Sequence, residues 1–152
     1  IINMSSIAGR VGWGLSTAYC VSKFGIEGFT DSLRRELITR NINVCLIEAG
    51  IVHSKFFENM KHAKASEKSE YAKETTQMLA MVDAMKNLEG WTKPSDVAKE
   101  VLKIIEENGE KVRYAIGNDA KAILEVVHMS RDNSQAMDEA LAKIMKEYFP
   151  DL

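Results

Sequence analysis

The sequence is poor in the residues that mark extreme chain types. Of its 152 residues only two are cysteine, two proline and nine glycine. Collagen-like and low-complexity chains need several times that share of glycine and proline, so both are excluded. Cys20 and Cys45 lie inside apolar stretches and form no close pair, and with the scattered His53, His62 and His128 they match no zinc-ligand spacing. No metal site and no disulfide scaffold is therefore expected, and a reducing, cytoplasmic setting is. Neither sign of charge dominates: 20 basic residues against 22 acidic give a formal net charge of -2. That balance offers no basic surface to nucleic acid. No apolar run approaches the roughly 18 residues of a membrane-spanning helix, and no signal peptide is visible. What is present is a chain that is 45% hydrophobic and 28% charged, long enough for one domain with its own core.

The opening Ile1-Ile2-Asn3-Met4 has no polar lead-in and no initiator methionine. It reads as the end of a buried strand closed by Ser5-Ser6, and a chain starting in mid-strand is expected to be part of something longer. Three glycines between Gly9 and Gly14 mark a loop. A helix is expected over residues 17–39, with Ser16 as N-cap, Ser22, Ile26, Phe29, Leu33 and Leu37 at helical spacing, and Asn41 as terminator. Residues 43–47 form a short apolar run of β type. Helix passing directly into strand is half of a βαβ crossover and implies a parallel sheet. Residues 54–88, rich in Met, Lys and Glu, are expected to be helical. Pro94-Ser95-Asp96 opens a further helix through Glu107, closed by Gly109. Residues 111–116 alternate like a third strand, and helical segments follow to Tyr148. The order β-α-β-α-β-α spells an α/β layered fold.

Tyr19 and Lys23 lie four apart on the first helix, so their side chains share one face. A tyrosine is a poor acid–base group at neutral pH, with a reference pKa of about 10, but a neighbouring ammonium favours its phenolate. Ser6, at the mouth of the preceding strand, can reach the same point and hold a substrate oxygen. The spacing by itself is equally compatible with a packed tyrosine ring and a solvated lysine.

The wider context is more specific. Tyr19-Cys20-Val21-Ser22-Lys23-Phe24-Gly25-Ile26-Glu27-Gly28, together with Ile2-Asn3-Met4-Ser5-Ser6-Ile7-Ala8-Gly9, resembles the catalytic helix and preceding strand of the short-chain dehydrogenase/reductase family. The resemblance implies that Ser6 steadies the substrate oxygen, Tyr19 acts as general acid/base, and Lys23 holds the nicotinamide ribose and tunes Tyr19. It also covers Glu48-Ala49-Gly50-Ile51-Val52-His53-Ser54, where the family carries a Pro-Gly turn followed by a hydroxyl residue. Gly50 and Ser54 fit that pattern, and Ala49 stands where proline is usual. The implied cofactor contacts are Tyr19, Lys23, Gly50, the Val52 backbone and the Ser54 hydroxyl. Within the family the resemblance runs to the branch of estradiol 17-beta-dehydrogenase type 1 and photoreceptor retinol dehydrogenase. It implies a lipophilic, steroid- or retinoid-like alcohol or ketone as substrate, NADP(H) over NAD(H), and a homodimer of the full-length protein. Ile7, Trp13 and Ile51 are candidates for the substrate wall; Met60, Met78, Met81 and Met85 could form a soft apolar lid or simply helix core.

The resemblance further implies the C-terminal part of a Rossmann-like, doubly wound parallel sheet of about three strands with flanking helices. On that reading residues 1–152 are a partial domain, without the family's glycine-rich phosphate loop and the asparagine of its catalytic tetrad. Gly9-x-x-Gly12-x-Gly14 reverses the glycine order of a dinucleotide loop and reads as the catalytic loop instead. Two other functions compete. A non-catalytic interaction module would use the Tyr19 helix, a dimer-forming element in many relatives. A hydrolase pairing Ser6 with Lys23 leaves Tyr19 without a role. His53 reads as a solvated loop histidine, and Arg34-Arg35 and the charged run of residues 61–73 as wet helix faces.

Overall fold

A computed structural model describes the chain except residues 62, 64, 66–67, 88–90, 131–132 and 149–152. Three strands, β1 (Ile2–Met4), β2 (Cys45–Ala49) and β3 (Arg113–Ile116), form one parallel sheet in the order β1-β2-β3. Ile2 pairs with Cys45 and Met4 with Ile47, while Leu46 pairs with Arg113 and Ala49 with Ile116. Among the described residues there are five α-helices: α1 (Thr17–Leu37), α2 (Ala72–Asn87), α3 (Pro94–Glu106), α4 (Asn118–Met129) and α5 (Ser134–Tyr148). The expected parallel α/β fold is present.

Every residue of β2 is buried, because a central parallel strand is covered on both faces. Its alternation sends Cys45, Ile47 and Ala49 into one cluster with Ile104 and Ile116, against which Val97 and Val101 of α3 pack. Leu46 and Glu48 point to the opposite face, where α1 lies. A second cluster, Val11, Ile123 and Leu141, seats the loop after β1 on α4 and α5.

Several expectations are corrected. β1 is not a buried strand: Ile1 and Met4 are about half exposed, since among the described residues the sheet continues only on its β2 side. The helix expected over residues 54–88 starts at Ala72. Residues 55–59 form turns instead, because Val52 bridges Thr92 and the His53 amide donates to the Thr92 carbonyl, which commits this stretch to a loop. Helix α1 ends at Leu37 in a 3₁₀ turn, closed by Asn41 at φ 54°. Ser16 precedes α1, but its hydroxyl makes no capping bond.

Candidate active site

Ser5-Ser6, Gly50 and Gly117 all follow the carboxyl ends of their strands, the edge at which open α/β sheets place ligands. Helix α1 leaves the same edge. Its buried residues are Cys20, Glu27 and Thr30, whereas Phe29 is 54% exposed. The face turned to the sheet is therefore only in part the stripe expected from spacing: Ile26, Leu33 and Leu37 are half-buried, Ser22 and Phe29 exposed. It carries Tyr19, Lys23, Glu27 and Asp31, a row at i, i+4 spacing that lies over one side of the helix.

Lys23 Nζ donates to the Met4 carbonyl at 3.1 Å and lies 5.6 Å from the centroid of the Tyr19 ring. Its ammonium is thus held between the end of β1 and the phenol. Ser6 caps the 3₁₀ turn Ile7–Gly9, accepting from the Ala8 amide at 3.3 Å, and its Oγ donates to the Ala49 carbonyl at 3.2 Å. That bond ties the end of β1 to the turn after β2. The structure therefore joins Lys23 to Tyr19 directly, and Ser6 to the Gly50 turn.

The Gly50 turn opens into a cavity of about 240 Å³ whose lining includes Ile51, Val52, Ser54, Phe57, Met85 and Trp91. Ser54 is exposed there, and its Oγ accepts from the Phe56 amide at 3.3 Å, which leaves the hydroxyl proton available to a ligand. Phe56 reaches back over the site, its ring centroid 5.5 Å from that of Tyr19. Ile7 and Trp13 are placed differently from Ile51: both pack against the Val11, Ile123, Leu141 cluster. The glycine loop makes structural contacts: a Cβ on Gly9 would meet Ser5 Oγ at 2.7 Å and the Lys23 carbonyl at 2.9 Å, whereas Gly12 and Gly14 stand in open space.

A charged network beneath these residues went unread in the sequence. Ser5 Oγ donates to Glu27 Oε1 at 2.5 Å, and Glu27 Oε2 accepts from Arg113 Nε at 2.9 Å. Arg113 Nη2 also donates to Asp31 Oδ1 at 3.0 Å, and Arg113 Nε lies 3.7 Å from Glu48 Oε1, which accepts from Arg10 Nη1 at 2.7 Å. Burial opposes the Arg113 charge, but the bonds from Asp31 and Glu27 outweigh it and push the guanidinium's pKa up. For Glu48 burial wins, and its pKa rises despite the Arg10 bond. The network fastens the loop bearing Ser6, the helix bearing Tyr19 and Lys23, and the ends of β2 and β3 to one another. The i+4 row on α1 was a visible sign of Glu27 and Asp31. Nothing local announces Arg113, which lies 86 residues beyond Glu27 in the chain.

A doubly wound α/β domain with this arrangement at its strand ends has clear counterparts. The sequence profile described as "short chain dehydrogenase" matches residues 1–65. Human short-chain dehydrogenase/reductase family 9C member 7 is 33% identical over 133 residues, covering 81% of this chain and 42% of that protein. Rat retinol dehydrogenase 16 is 46% identical over 50 residues, 33% of this chain and 16% of that one. A crystallised short-chain dehydrogenase from Streptomyces avermitilis superposes with a TM-score of 0.61 at 19% identity, over 93% of this chain and 51% of that one, a likeness of fold. The chain belongs to the short-chain dehydrogenase/reductase family, which implies a nicotinamide cofactor. It spans about half the length of these relatives or less. No helix among the described residues is long and apolar enough to cross a membrane.

Proposed function

We propose that the protein carrying this chain is an oxidoreductase that transfers hydride between a nicotinamide cofactor and a hydroxyl or ketone of a lipophilic, steroid- or retinoid-like substrate. The observation that carries this reading is the Lys23 ammonium held on the Met4 carbonyl 5.6 Å from the Tyr19 ring. A cation fixed there stabilises negative charge developing on the phenolic oxygen, and its own bond to the backbone keeps it from drifting into solvent. Tyr19 then gives a proton to the substrate oxygen in the reducing direction and takes it back in the oxidising one. Ser6 Oγ, turned from the Ala49 carbonyl, donates to that same oxygen and holds it against the phenol. The cofactor, when bound, supplies or accepts the hydride.

The chemistry of the residues present fits a nicotinamide. Ser54 offers a hydroxyl, and Val52 a backbone edge, to a carboxamide entering the cavity beside the Gly50 turn. Tyr19 and Lys23 would face the ribose. The dinucleotide-binding half of the domain would lie outside residues 1–152, a reading supported by the fraction of each relative that the chain spans. NADP(H) is preferred over NAD(H) on the resemblance to the estradiol 17-beta-dehydrogenase type 1 and photoreceptor retinol dehydrogenase branch, the likeness to rat retinol dehydrogenase 16 supports a lipophilic substrate, and the cysteine usage supports a reducing, cytoplasmic setting. Ile51 would line the substrate wall, and Ile7 and Trp13, packed against the Val11, Ile123 and Leu141 cluster, would add to it only the surface they leave exposed.

The outer face of α1 favours a second role for the same helix. Val21 is 68% exposed and Phe24 47%, Phe29 projects beside them, and a Cβ on Gly25 or Gly28 would stand in open space. This face suits a homodimer contact, and association alone would be the chain's function if catalysis failed. The deciding experiment is Tyr19→Phe in the full-length protein, assayed with NADPH and NADH against steroids, retinoids and short-chain alcohols. Turnover should fall by roughly 10²–10⁴-fold, the range of a lost general acid/base, with cofactor affinity largely intact. Retained turnover would remove Tyr19 from the reaction.

A further inference from the structure

We propose that Asp119 is a positioning residue for the cofactor turn: its buried carboxylate clamps the Gly50–Ile51 backbone and thereby sets where Val52 and Ser54 stand. The inference rests on the reading of residues 50–54 as the nicotinamide contact. Asp119 lies in the first turn of α4, 5% exposed, where a carboxylate is favoured by the helix N-terminus yet still needs specific donors once removed from water. Its Oδ2 accepts from the Ile51 amide at 2.7 Å, a bond between residues 68 apart in the chain.

Two glycines make room for this carboxylate. A Cβ on Gly50 would collide with both Asp119 oxygens, and one on Gly117 would collide with Asp119 Oδ1 and sit 2.9 Å from Thr92 Oγ1. Gly117 also adopts φ 106°, which side-chain-bearing residues rarely do. Glycine at 50 is thus demanded by the approach of Asp119 to the backbone. Ala49, just before the turn, places no ring constraint on φ. The rest of the segment is held by main-chain bonds: the Gly50 amide donates to the Ile116 carbonyl at 2.9 Å, and the His53 amide to the Thr92 carbonyl at 2.9 Å. Between these two anchors the Ile51 amide is the group that Asp119 fixes, and Val52 follows it directly into the cavity lining.

The test uses Asp119→Ala, Asp119→Asn and, for comparison, Ser54→Ala in the full-length protein. Hydrogen exchange of the Ile51 amide is read without cofactor, and NADPH affinity by fluorescence titration. In Asp119→Ala the Ile51 amide should exchange about tenfold faster and the NADPH Kd rise roughly tenfold, the loss of one charge-assisted hydrogen bond, while kcat at saturating cofactor stays within about twofold. Asp119→Asn keeps an acceptor oxygen in the same shape and should fall between wild type and alanine on both readouts; it carries the test where the alanine variant does not fold. An unchanged Ile51 exchange rate, or an unchanged Kd, in a folded Asp119 variant overturns the clamp. If Ser54→Ala weakens NADPH while both Asp119 variants do not, the clamp is wrong and the nicotinamide reading stands. If none of the three changes NADPH affinity, the reading of residues 50–54 falls and the clamp's role falls with it.

Discussion

Replacing Arg113 by methionine isolates what the buried network contributes. The side chain keeps an unbranched apolar stem and loses its charge and its donors, stranding Glu27, Asp31 and Glu48 on one side of the sheet. The three do not suffer equally. Asp31 is about one-third exposed and can turn to water, and Glu48 retains Arg10 at 2.7 Å. Glu27, whose side chain is 9% exposed, keeps only the Ser5 hydroxyl as a donor, at 2.5 Å. Breaking a buried ion pair from one side costs about 3–5 kcal/mol, and the solvent open to Asp31 and the partner left to Glu48 place Arg113→Met near the low end, about 3 kcal/mol at pH 7.5. Urea unfolding followed by circular dichroism at pH 7.5 measures it. A loss under about 1 kcal/mol would refute the idea that Arg113 holds these carboxylates together.

Glu48→Gln should alter how stability depends on pH. Burial raises the Glu48 pKa in the folded protein above its ordinary value near 4.5. As pH climbs from there the unfolded chain releases its proton first, so this group makes wild type lose stability through that window, and glutamine, which does not titrate, removes the slope. The wild-type advantage over Glu48→Gln should therefore decline from pH 4.5 to 7 in parallel urea titrations; a difference independent of pH contradicts the assignment. Gly9→Ala should destabilise by about 1–3 kcal/mol, the usual range for overpacking, because the new methyl would meet Ser5 Oγ, the Lys23 carbonyl and Glu27 Cγ at 2.7, 2.9 and 3.0 Å. It should also lower turnover by prising the Ser6 loop from α1, whereas Gly12→Ala, whose new methyl would stand in open space, should do neither; thermal melts and steady-state rates decide both.

The parallel α/β frame was legible because it is written locally. A short apolar run such as Val44–Ile47 fed by a helix has few other solutions, and Asn41 and Gly109 mark their turns by residue type. The failures share a cause. Whether β1 is buried depends on its neighbours in the sheet, which Ile1–Met4 cannot report. The Met, Lys and Glu content after Ser54 favours helix, but pairing of Val52 with Thr92, forty residues on, delays helix until Ala72. At the site, Tyr19 and Lys23 were legible because both lie within one helical turn. Ser5–Glu27 and Ile51–Asp119 were not, since each is a hydrogen bond between segments whose proximity exists only after folding.

Helix α1 shows how these two kinds of information combine. Amphipathic helices ordinarily turn their apolar stripe inward, and Ile26, Phe29 and Leu33 invite that reading. Here the inward face carries Glu27 and Thr30, and Val21, Phe24 and Phe29 face out. A buried carboxylate is tolerable only when its donors are supplied, and Ser5 and Arg113 supply them. The polar row that holds the catalytic candidates therefore shares the sheet side with buried Cys20 and half-buried Ile26, Leu33 and Leu37, while Val21, Phe24 and Phe29 lie outside it. Those residues need another surface, because each large apolar side chain fully buried contributes about 1.5–3 kcal/mol that exposure forfeits. The chemistry on one face of α1 and the unpartnered apolar surface on the other thus follow from a single choice of which side meets the sheet.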